Sequence, residues 1–188
     1  MNGNLAYQDA PWDELINGET VLMSPRPSVQ HNWIAGNIFV AFSNHLKGKK
    51  CIPFGDGTDV YLTEDDRVIP DVMIICRTDI IKRNGIHGAP DLVVEVLSPG
   101  TAKKDRGYKK DLYERTGVRE YWIVGPEARS IEVYLLTDRK YVLDEVYSAP
   151  PEDTDLTEEE REQYKKEIKI SLCDGFSISL DEIFSRLP

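Results

Sequence analysis

Three side chains near the middle of the chain have the types and spacing of a site for phosphoryl transfer. Asp71 precedes an apolar run, Glu95 stands inside the apolar string 92–97, and Lys109 lies on the segment that follows. Burying an unpaired carboxylate costs several kcal/mol, so Glu95 must be protonated, paired with a cation or bound to a metal. These three residues are therefore the first candidates for catalysis.

The two acids have the chemistry of a magnesium site. If their runs form adjacent strands, the carboxylates of Asp71 and Glu95 lie roughly 5 Å apart across the ladder, close enough to share one cation. Mg²⁺ in phosphoryl chemistry needs one or two protein carboxylates, with water and substrate phosphate at the other positions. We therefore expect both acids to bind Mg²⁺, with Mn²⁺ as a substitute. Lys109 would stabilise the pentacoordinate transition state or orient the attacking water.

Each of these residues also has a structural explanation. Glu95 can form an ion pair with Arg106 or Lys109, and Asp71 can be a turn residue at the start of its strand. Asp91 directly follows a proline, as Asp71 does. On a strand it would lie roughly 13 Å from Glu95, too far to share one metal, so we interpret it as a turn residue. Either acid alone is more often structural, whereas the three residues together favour a site.

Five further residues are weaker candidates. Asp59 starts another predicted strand and can reach the same sheet edge, and Glu19 lies further upstream. His31, in the first turn of a predicted helix, can exchange a proton near a phosphate, although a lone helical histidine is more often a cap or packing residue. Lys103 and Lys104 at a helix start can hold a phosphate with free backbone N–H groups, or simply form a solvated face.

The hydrophobic pattern predicts the elements that position these residues. Ser28 can cap a helix whose apolar residues recur every four positions, from Ile34 to Leu46. A second helix is predicted over 101–116, ended by Gly117. The predicted strands are 59–62, 72–76, 92–97 and 120–124, with a hairpin of 131–136 and 141–147. The order predicts an α/β chain of the α+β kind, in which helices flank a central mixed sheet with an added hairpin.

Length and charge favour one domain with a small phosphate site. We expect residues 1–188 to form a single domain, since 188 residues suit one core. The net charge is −10, but residues 152–162 hold seven acids and one arginine, and 101–115 hold six basic and three acidic residues. Residues 150–167 are predicted to be an acidic insertion or exposed helix. A basic patch in an acidic chain suits weak DNA binding and argues against a broad DNA platform.

The sequence argues against several classes of protein. No apolar run reaches the length of a membrane span, and the first thirteen residues lack the pattern of a secretory signal, so we expect no membrane insertion and a cytoplasmic location. No phosphate-binding glycine loop, nucleophile elbow or His-Glu-x-x-His motif occurs, which predicts no nucleotide cofactor. Cys51, Cys76 and Cys173 are few and far apart, and we expect reduced, buried thiols.

Longer stretches of the sequence resemble the Uma-type family of restriction endonucleases, a branch of the PD-(D/E)XK nuclease superfamily. The resemblance extends loosely over most of the chain and is specific in its central block. The matching segments are Ile69-Pro-Asp-Val, Ala89-Pro-Asp-Leu-Val-Val-Glu-Val-Leu-Ser-Pro, Asp105-Arg-Gly-Tyr-Lys-Lys-Asp-Leu-Tyr and Gly117-Val-Arg-Glu-Tyr-Trp-Ile-Val.

The resemblance implies a restriction-endonuclease-like core and hydrolysis of DNA with a divalent metal. Asp71 matches the motif aspartate, and Glu95 matches the acidic member of the (D/E)XK triad. The chain departs from the plain motif two residues after Glu95, where Leu97 replaces the lysine. In the family that it resembles, this lysine lies on the following helix, where Lys109 matches.

Three functions fit these observations. The first is a Mg²⁺-dependent endonuclease, which the set of Asp71, Glu95 and Lys109 favours. The second is an inactive nuclease-like fold that binds DNA or a protein, which the acidic net charge favours. The third is a hydrolase acting on a smaller phosphodiester. DNA or RNA as the substrate and the sequence specificity stay open. Cutting both strands of a duplex calls for two active sites, which favours a homodimer.

Overall fold

The structure is a computed structural model that describes residues 13–23, 27–150, 155–172 and 175–186. The strands are β1 (Asp13–Ile16), β2 (Glu19–Leu22), β3 (Ile52–Gly55), β4 (Val60–Tyr61), β5 (Arg67–Val68), β6 (Val72–Ile75), β7 (Ile81–Lys82), β8 (Gly85–His87), β9 (Leu92–Val96), β10 (Glu120–Gly125), β11 (Ser130–Thr137), β12 (Lys140–Ser148), β13 (Glu167–Lys169) and β14 (Ser177–Ser179). The helices are α1 (Val29–Leu46), α2 (Ala102–Lys104), α3 (Lys110–Thr116), α4 (Glu158–Glu162) and α5 (Leu180–Ile183), with a π-helical turn at Asp105–Lys109 and a 3-10 turn at Thr78–Ile80.

Among the described residues, the main sheet is a mixed sheet of six strands in the order β12-β11-β10-β9-β6-β3. Strands β9 and β10 run parallel, and the other neighbours are antiparallel. A parallel pair needs a crossover connection, which the helical segment from α2 to α3 supplies. A second sheet has the order β2-β1-β5-β4-β8-β7, and β13 pairs with β14. The predicted mixed sheet flanked by helices, with its added hairpin β11–β12, is confirmed.

Strand β9 is buried on both faces of the main sheet. Leu92, Val94 and Val96 pack in the core that includes α1, whereas Val93 packs in a second core under α3. Because successive side chains of a strand alternate between faces, Glu95 points to the same side as Val93. The continuous apolar run of this strand therefore reflects cover on both sides.

Helix α1 forms as the sequence predicts. Its N-terminus is capped by Ser28, whose hydroxyl accepts a hydrogen bond from the backbone N–H of His31 at 3.1 Å. Ile34, Ile38 and Phe42 are fully buried against the main sheet. The predicted apolar stripe is therefore the core-facing side of this helix.

Asp66 fastens the second sheet to the crossover helix. Its carboxylate accepts hydrogen bonds from the backbone N–H of Asn17 at 3.0 Å, from Arg115 at 2.7 Å, from Thr63 at 2.9 Å and from the hydroxyl of Tyr108. Burial acts to raise the pKa of Asp66, but these hydrogen bonds lower it by more. The pKa of Asp66 therefore lies below its usual value. The β1–β2 hairpin is thus held beside the helix that carries Lys109.

One expectation about the elements changes, and a second is met in part by a short helix. Strand β4 is shorter than the predicted strand 59–62 and belongs to the second sheet, so it does not lie beside β6 and β9. Within the predicted acidic insertion, residues 151–154 lie outside the described residues, and α4 is an exposed helix of only five residues. None of the described helices is long and apolar enough to cross a bilayer.

The expectation of reduced thiols is wrong for one pair, because Cys51 and Cys76 form a disulfide. In the antiparallel pairing of β3 and β6, Ile52 lies opposite Ile75, so the next residues outward face each other. No sequence motif marks this pair, since 25 positions separate the two cysteines. Cys173 lies outside the described residues. Disulfides are rare in cytosolic proteins, so this bond counts against the cytoplasmic location, which stays a prediction.

Reducing the Cys51–Cys76 bond should lower the free energy of unfolding by about 3 kcal/mol, because it releases a loop of roughly 25 residues in the unfolded chain. Denaturant unfolding with and without reductant measures the change. The Cys51→Ser/Cys76→Ser double variant is the control and should match the reduced protein with or without reductant. Alkylation of all three cysteines in the unreduced, denatured protein would contradict the bond.

Candidate active site

Asp71 and Glu95 lie side by side on neighbouring strands. Val72 of β6 pairs with Val94 of β9 in the antiparallel register, so the residue before Val72 lies beside the residue after Val94. The Oδ2 atom of Asp71 accepts a hydrogen bond from the backbone N–H of Val96 at 2.7 Å. Glu95 is 3% exposed, and the side chain of Asp71 is 14% exposed. The predicted adjacency of the two carboxylates is confirmed.

Lys109 reaches Glu95, one acid of this pair. Its Nζ lies 2.8 Å from Oε1 of Glu95 and 3.9 Å from Oδ1 of Asp105. The next lysine points elsewhere, since Nζ of Lys110 lies 3.8 Å from the centre of the Tyr134 ring. The predicted proximity of Lys109 and Glu95 is confirmed, while their roles stay a proposal.

Tyr113 binds the same carboxylate oxygen as the lysine. Its hydroxyl donates to Oε1 of Glu95 at 2.6 Å, and the residue is fully buried. Both donors therefore meet on Oε1, which fixes the orientation of the carboxylate. Sequence reasoning missed this residue, although its place four residues after Lys109 puts it on the same helix face.

The π-helical turn accounts for the alignment of these side chains. In an α-helix, residues four apart drift around the axis by roughly 40° per step, so Asp105, Lys109 and Tyr113 would spread over roughly 80°. The turn at Asp105–Lys109 is wider than an α-helical turn and reduces this drift. All three side chains are buried as a result.

Glu14 is a further acid of the site that sequence reasoning missed. It lies on β1 and is fully buried, with Oε1 at 2.9 Å from Nζ of Lys109. The same oxygen accepts a hydrogen bond from the backbone N–H of Ile69 at 3.2 Å, and Oε2 pairs with Lys104. Glu14 stands in a four-residue strand without the long apolar run that marks Glu95, so only the packing of the two sheets shows it.

His31 contacts the other acid. Its Nε2 lies 3.2 Å from Oδ2 of Asp71, and the residue is buried. Burial lowers the pKa of the imidazole, but the hydrogen bond and charge of Asp71 raise it more, so its pKa lies above the usual value. Asp56 stands nearby, and burial together with the charge of Asp71 raises the pKa of that carboxyl. The auxiliary candidate His31 is therefore part of the centre, and Asp56 is added to it.

The buried charges shift one another strongly. Burial raises the pKa of Glu95 well above its usual value; Lys109 opposes this shift, and neighbouring carboxylates, Asp105 first, add to it. Burial also raises the pKa of Asp105, against the charge of Lys109. For Glu14, burial acts upward, but Lys109 and Lys104 outweigh it and lower the pKa. Burial acts to lower the pKa of Lys109, but the surrounding carboxylates raise it by more, so the pKa lies above its usual value. The centre is thus crowded with negative charge.

The donor set fits a divalent cation. Four carboxylates surround two ammonium groups: Glu14, Asp71, Glu95 and Asp105 with Lys104 and Lys109. With all four carboxyl groups ionised, two negative charges are in excess, and Oδ1 of Asp105 has no hydrogen-bond partner among the described residues. Within the described ranges, no three His, Cys, Asp or Glu side chains form a metal-binding group. Asp71 and Glu95 could therefore hold Mg²⁺ or Mn²⁺ only with water and phosphate oxygens at the remaining positions.

These acids and Lys109 line a cleft of about 1190 Å³. Its walls are the first turn of α1 and the loops after β9 and β10, which include Ser98, Thr101 and Glu127. Binding sites of α/β proteins commonly lie at the carboxyl ends of parallel strands, as this cleft does. The cleft is larger than the roughly 300–1,000 Å³ of a small-molecule pocket, so it has room for part of a polymer.

Several of the weaker candidates lie outside this centre. Asp59 accepts a hydrogen bond from Arg67 at 2.6 Å in the second sheet, because β4 does not join the main sheet. Glu19 is exposed at the turn end of the β1–β2 hairpin, and Lys103 is exposed beside the cleft without lining it. Lys104 lines the cleft but pairs with Glu14.

Asp91 has the structural role that its position suggests. Its Oδ2 accepts a hydrogen bond from the backbone N–H of Cys76 at 2.6 Å, and its Oδ1 pairs with Arg119. The side chain therefore joins the start of β9 to the end of β6, away from the cleft.

Comparisons with family models, known sequences and solved structures each find proteins similar to this chain. The family model described as "Uma2: Putative restriction endonuclease" matches residues 7–165. An uncharacterized protein of Synechocystis sp. is 33% identical over 113 residues, which are 59% of this chain and 60% of that protein, so the match spans less than two thirds of the relative. The crystal structure of "a putative nuclease belonging to DUF820" from Anabaena variabilis has a TM-score of 0.64 at 18% identity, over 92% of this chain and 89% of the other. At this identity the likeness shows the nuclease-like fold.

Replacing Lys109 by methionine should lower the free energy of unfolding by about 3–5 kcal/mol near neutral pH, because Glu95, Glu14 and Asp105 lose their shared cation. The loss should be smaller near pH 5. The pKa values of Glu95 and Asp105 are already raised in the folded protein, so these groups take up protons there and no longer carry unpaired charge.

Urea unfolding of both proteins at the two pH values measures this effect. The control is Lys110→Met, whose ammonium lies over an aromatic ring and should contribute about 1 kcal/mol or less. Equal losses for the two variants would contradict the central place of Lys109.

Proposed function

Because this chain belongs to the Uma2 family, we propose that it is a divalent-metal-dependent endonuclease that hydrolyses phosphodiester bonds of DNA. One observation carries the proposal. Asp71 and Glu95 lie side by side at the base of one cleft, with the ammonium of Lys109 at 2.8 Å from Glu95. Two acids can hold a metal ion with water and phosphate oxygens, and a lysine beside them can stabilise the charge that develops on a phosphate.

Asp71 and Glu95 are the proposed ligands of Mg²⁺. When bound there, the metal would polarise the phosphate and lower the pKa of a water molecule. The protein prepares both ligands beforehand. The backbone N–H of Val96 and the imidazole of His31 hold Asp71, while Lys109 and Tyr113 hold Oε1 of Glu95. These bonds leave little freedom for either carboxylate to turn away.

Lys109 has a second proposed role at the phosphate. Its ammonium lines the cleft, and the surrounding carboxylates raise its pKa, so it stays charged at neutral pH. A fixed positive charge in a partly desolvated site stabilises the additional negative charge of a pentacoordinate phosphate. Lys109 thus both orients Glu95 and faces the reacting group.

DNA binding is proposed to be weak. The cations of the cleft already have acidic partners, Lys104 with Glu14 and Arg106 with Glu132. Affinity for a polyanion depends on cations that can neutralise phosphates, so few contacts of this kind remain. The same observation, with the net charge of −10, favours the protein-binding form of the second candidate, an inactive nuclease-like fold that binds DNA or a protein.

Incubation with plasmid DNA and with DNA and RNA oligonucleotides separates the two candidates. The enzyme should cut DNA with Mg²⁺ or Mn²⁺ and not with EDTA. Cleavage of RNA alone would correct the substrate. Binding without cleavage of any substrate would support the inactive fold.

Asp71→Asn should weaken Mn²⁺ binding by about tenfold or more, since one of two charged ligands becomes neutral while the acceptor for Val96 is retained. Isothermal titration calorimetry of the unmodified chain and the variant measures the affinity without any nucleic acid. Glu19→Gln, an exposed acid outside the cleft, is the control and should bind Mn²⁺ like the unmodified chain. Equal binding by all three proteins would remove Asp71 from the site.

Tyr113→Phe should lower kcat by about tenfold, because it removes one of the two donors that hold Glu95 and a hydrogen bond to a charged group contributes about 1.5 kcal/mol or more. KM should change little, since the hydroxyl is buried away from the substrate. The matched control is Tyr141→Phe, whose hydroxyl donates to the backbone carbonyl of Val118 in the same aromatic cluster. A similar loss in both variants would indicate packing alone.

A further inference from the structure

Helix α1 contains no charged residue in a highly charged chain. Its 18 residues include no Asp, Glu, Lys or Arg, whereas these types make up 30% of the sequence. These four residue types are absent from the whole circumference of the helix, not only from the side that faces the core. Charged residues normally cover the solvent side of a surface helix, so this side needs a separate explanation.

The solvent side of α1 carries an apolar stripe of Val29, Trp33, Gly36 and Val40. Val29 is 69% exposed, Trp33 is 43% exposed and Val40 is 54% exposed in the described structure. Spacings of four, three and four residues place these positions on one side of an α-helix. The buried residues Ile34, Ile38 and Phe42 occupy the opposite side. Helix α1 therefore has two apolar stripes, of which one packs against the core of the described structure.

The borders of the stripe are polar and uncharged. Asn32 and Ser43 lie on one side of it, and Asn44 lies on the other. An apolar centre without charges, surrounded by residues that can hydrogen-bond, is the typical anatomy of a protein interface. The indole N–H of Trp33 donates to the backbone carbonyl of Ser185 at 3.0 Å, which holds the ring in place.

We propose that this stripe is a self-association surface, on which α1 of one chain packs against α1 of a second copy. Two copies of net charge −10 repel each other, so they meet most easily through a face that brings no like charges together. A strongly charged partner would find no complementary charge on α1. A two-fold axis gives the same patch to both chains, which an uncharged stripe satisfies without any pairing of opposite charges.

The middle of the stripe allows the two helices to approach closely. Gly36 is exposed, and a Cβ atom added there would meet nothing within 4 Å. Among the described residues, a second exposed apolar group lies on β12 and is less suited, because Val142 and Val146 flank the acids Asp144 and Glu145. The stripe starts beside the cleft, which Ser28, His31 and Asn32 line, and runs away from it along the helix to Val40.

Sedimentation velocity of the full chain, without metal or nucleic acid, tests this proposal independently of any nuclease activity. The chain should show a concentration-dependent dimer. Added NaCl should strengthen it, because salt screens the repulsion between two acidic copies while leaving apolar contact intact. A chain that stays monomeric up to its solubility limit at every salt concentration overturns the proposal, including the case in which another segment of the same chain covers the stripe.

Two matched variants locate the surface. Val40→Glu places like charges across the axis and should weaken the dimer by at least about tenfold. Val142→Glu introduces the same charge at a similarly exposed valine on β12 and should associate like the unmodified chain. Far-UV circular dichroism and thermal unfolding confirm that both variants are folded. A dimer that survives Val40→Glu, or one that Val142→Glu disrupts instead, overturns the proposal.

Discussion

The ammonium group of Lys109 is the charge on which the buried acids of this protein depend. It lies 2.8 Å from Glu95, 2.9 Å from Glu14 and 3.9 Å from Asp105, and these acids come from β9, β1 and the π-helical turn. One cation therefore joins the main sheet, the second sheet and the crossover helix. Buried ion pairs contribute little net stability compared with a well-packed apolar core. A network of this kind at the base of a cleft is better explained by chemistry than by folding.

The geometry of the site follows from three regular features of the backbone. Alternation along β6 and β9 places Asp71 and Glu95 on one face of the sheet, and their antiparallel register places them side by side. The parallel pair β9–β10 requires a crossover helix, which brings Lys109 back over the same face. The π-helical turn then directs that side chain into the sheet. The excess of negative charge that results suits a cation and opposes a polyanion, so catalysis and strong DNA binding make opposite demands on this cleft.

Helix α1 connects the site with the outside of the molecule. Its inner face supplies core residues such as Ile38 and, at its N-terminal end, His31 against Asp71. Its outer face exposes Val29 and Val40 without any charge. The inner face of α1 is fixed on the core, and a second copy would cover its outer face. Association of two copies would then affect the position of His31. The Cys51–Cys76 disulfide joins β3 and β6 at the end of the strands away from Asp71, on the face of the sheet that α1 covers.

Local sequence determined the elements and part of the site. Buried strands read as apolar runs, helices read as a four-residue period, and Glu95 was conspicuous because a carboxylate interrupts such a run. Lys109 followed from the resemblance to the Uma-type family, in which the lysine lies on the helix after this strand. Tertiary structure alone decided that Glu14 enters the site while Glu19 and Asp59 do not, and that Cys51 pairs with Cys76. The reason is physical: periodicity reports which face of an element is buried, whereas the choice of neighbouring strands depends on contacts between residues far apart in the chain, which leave no local pattern.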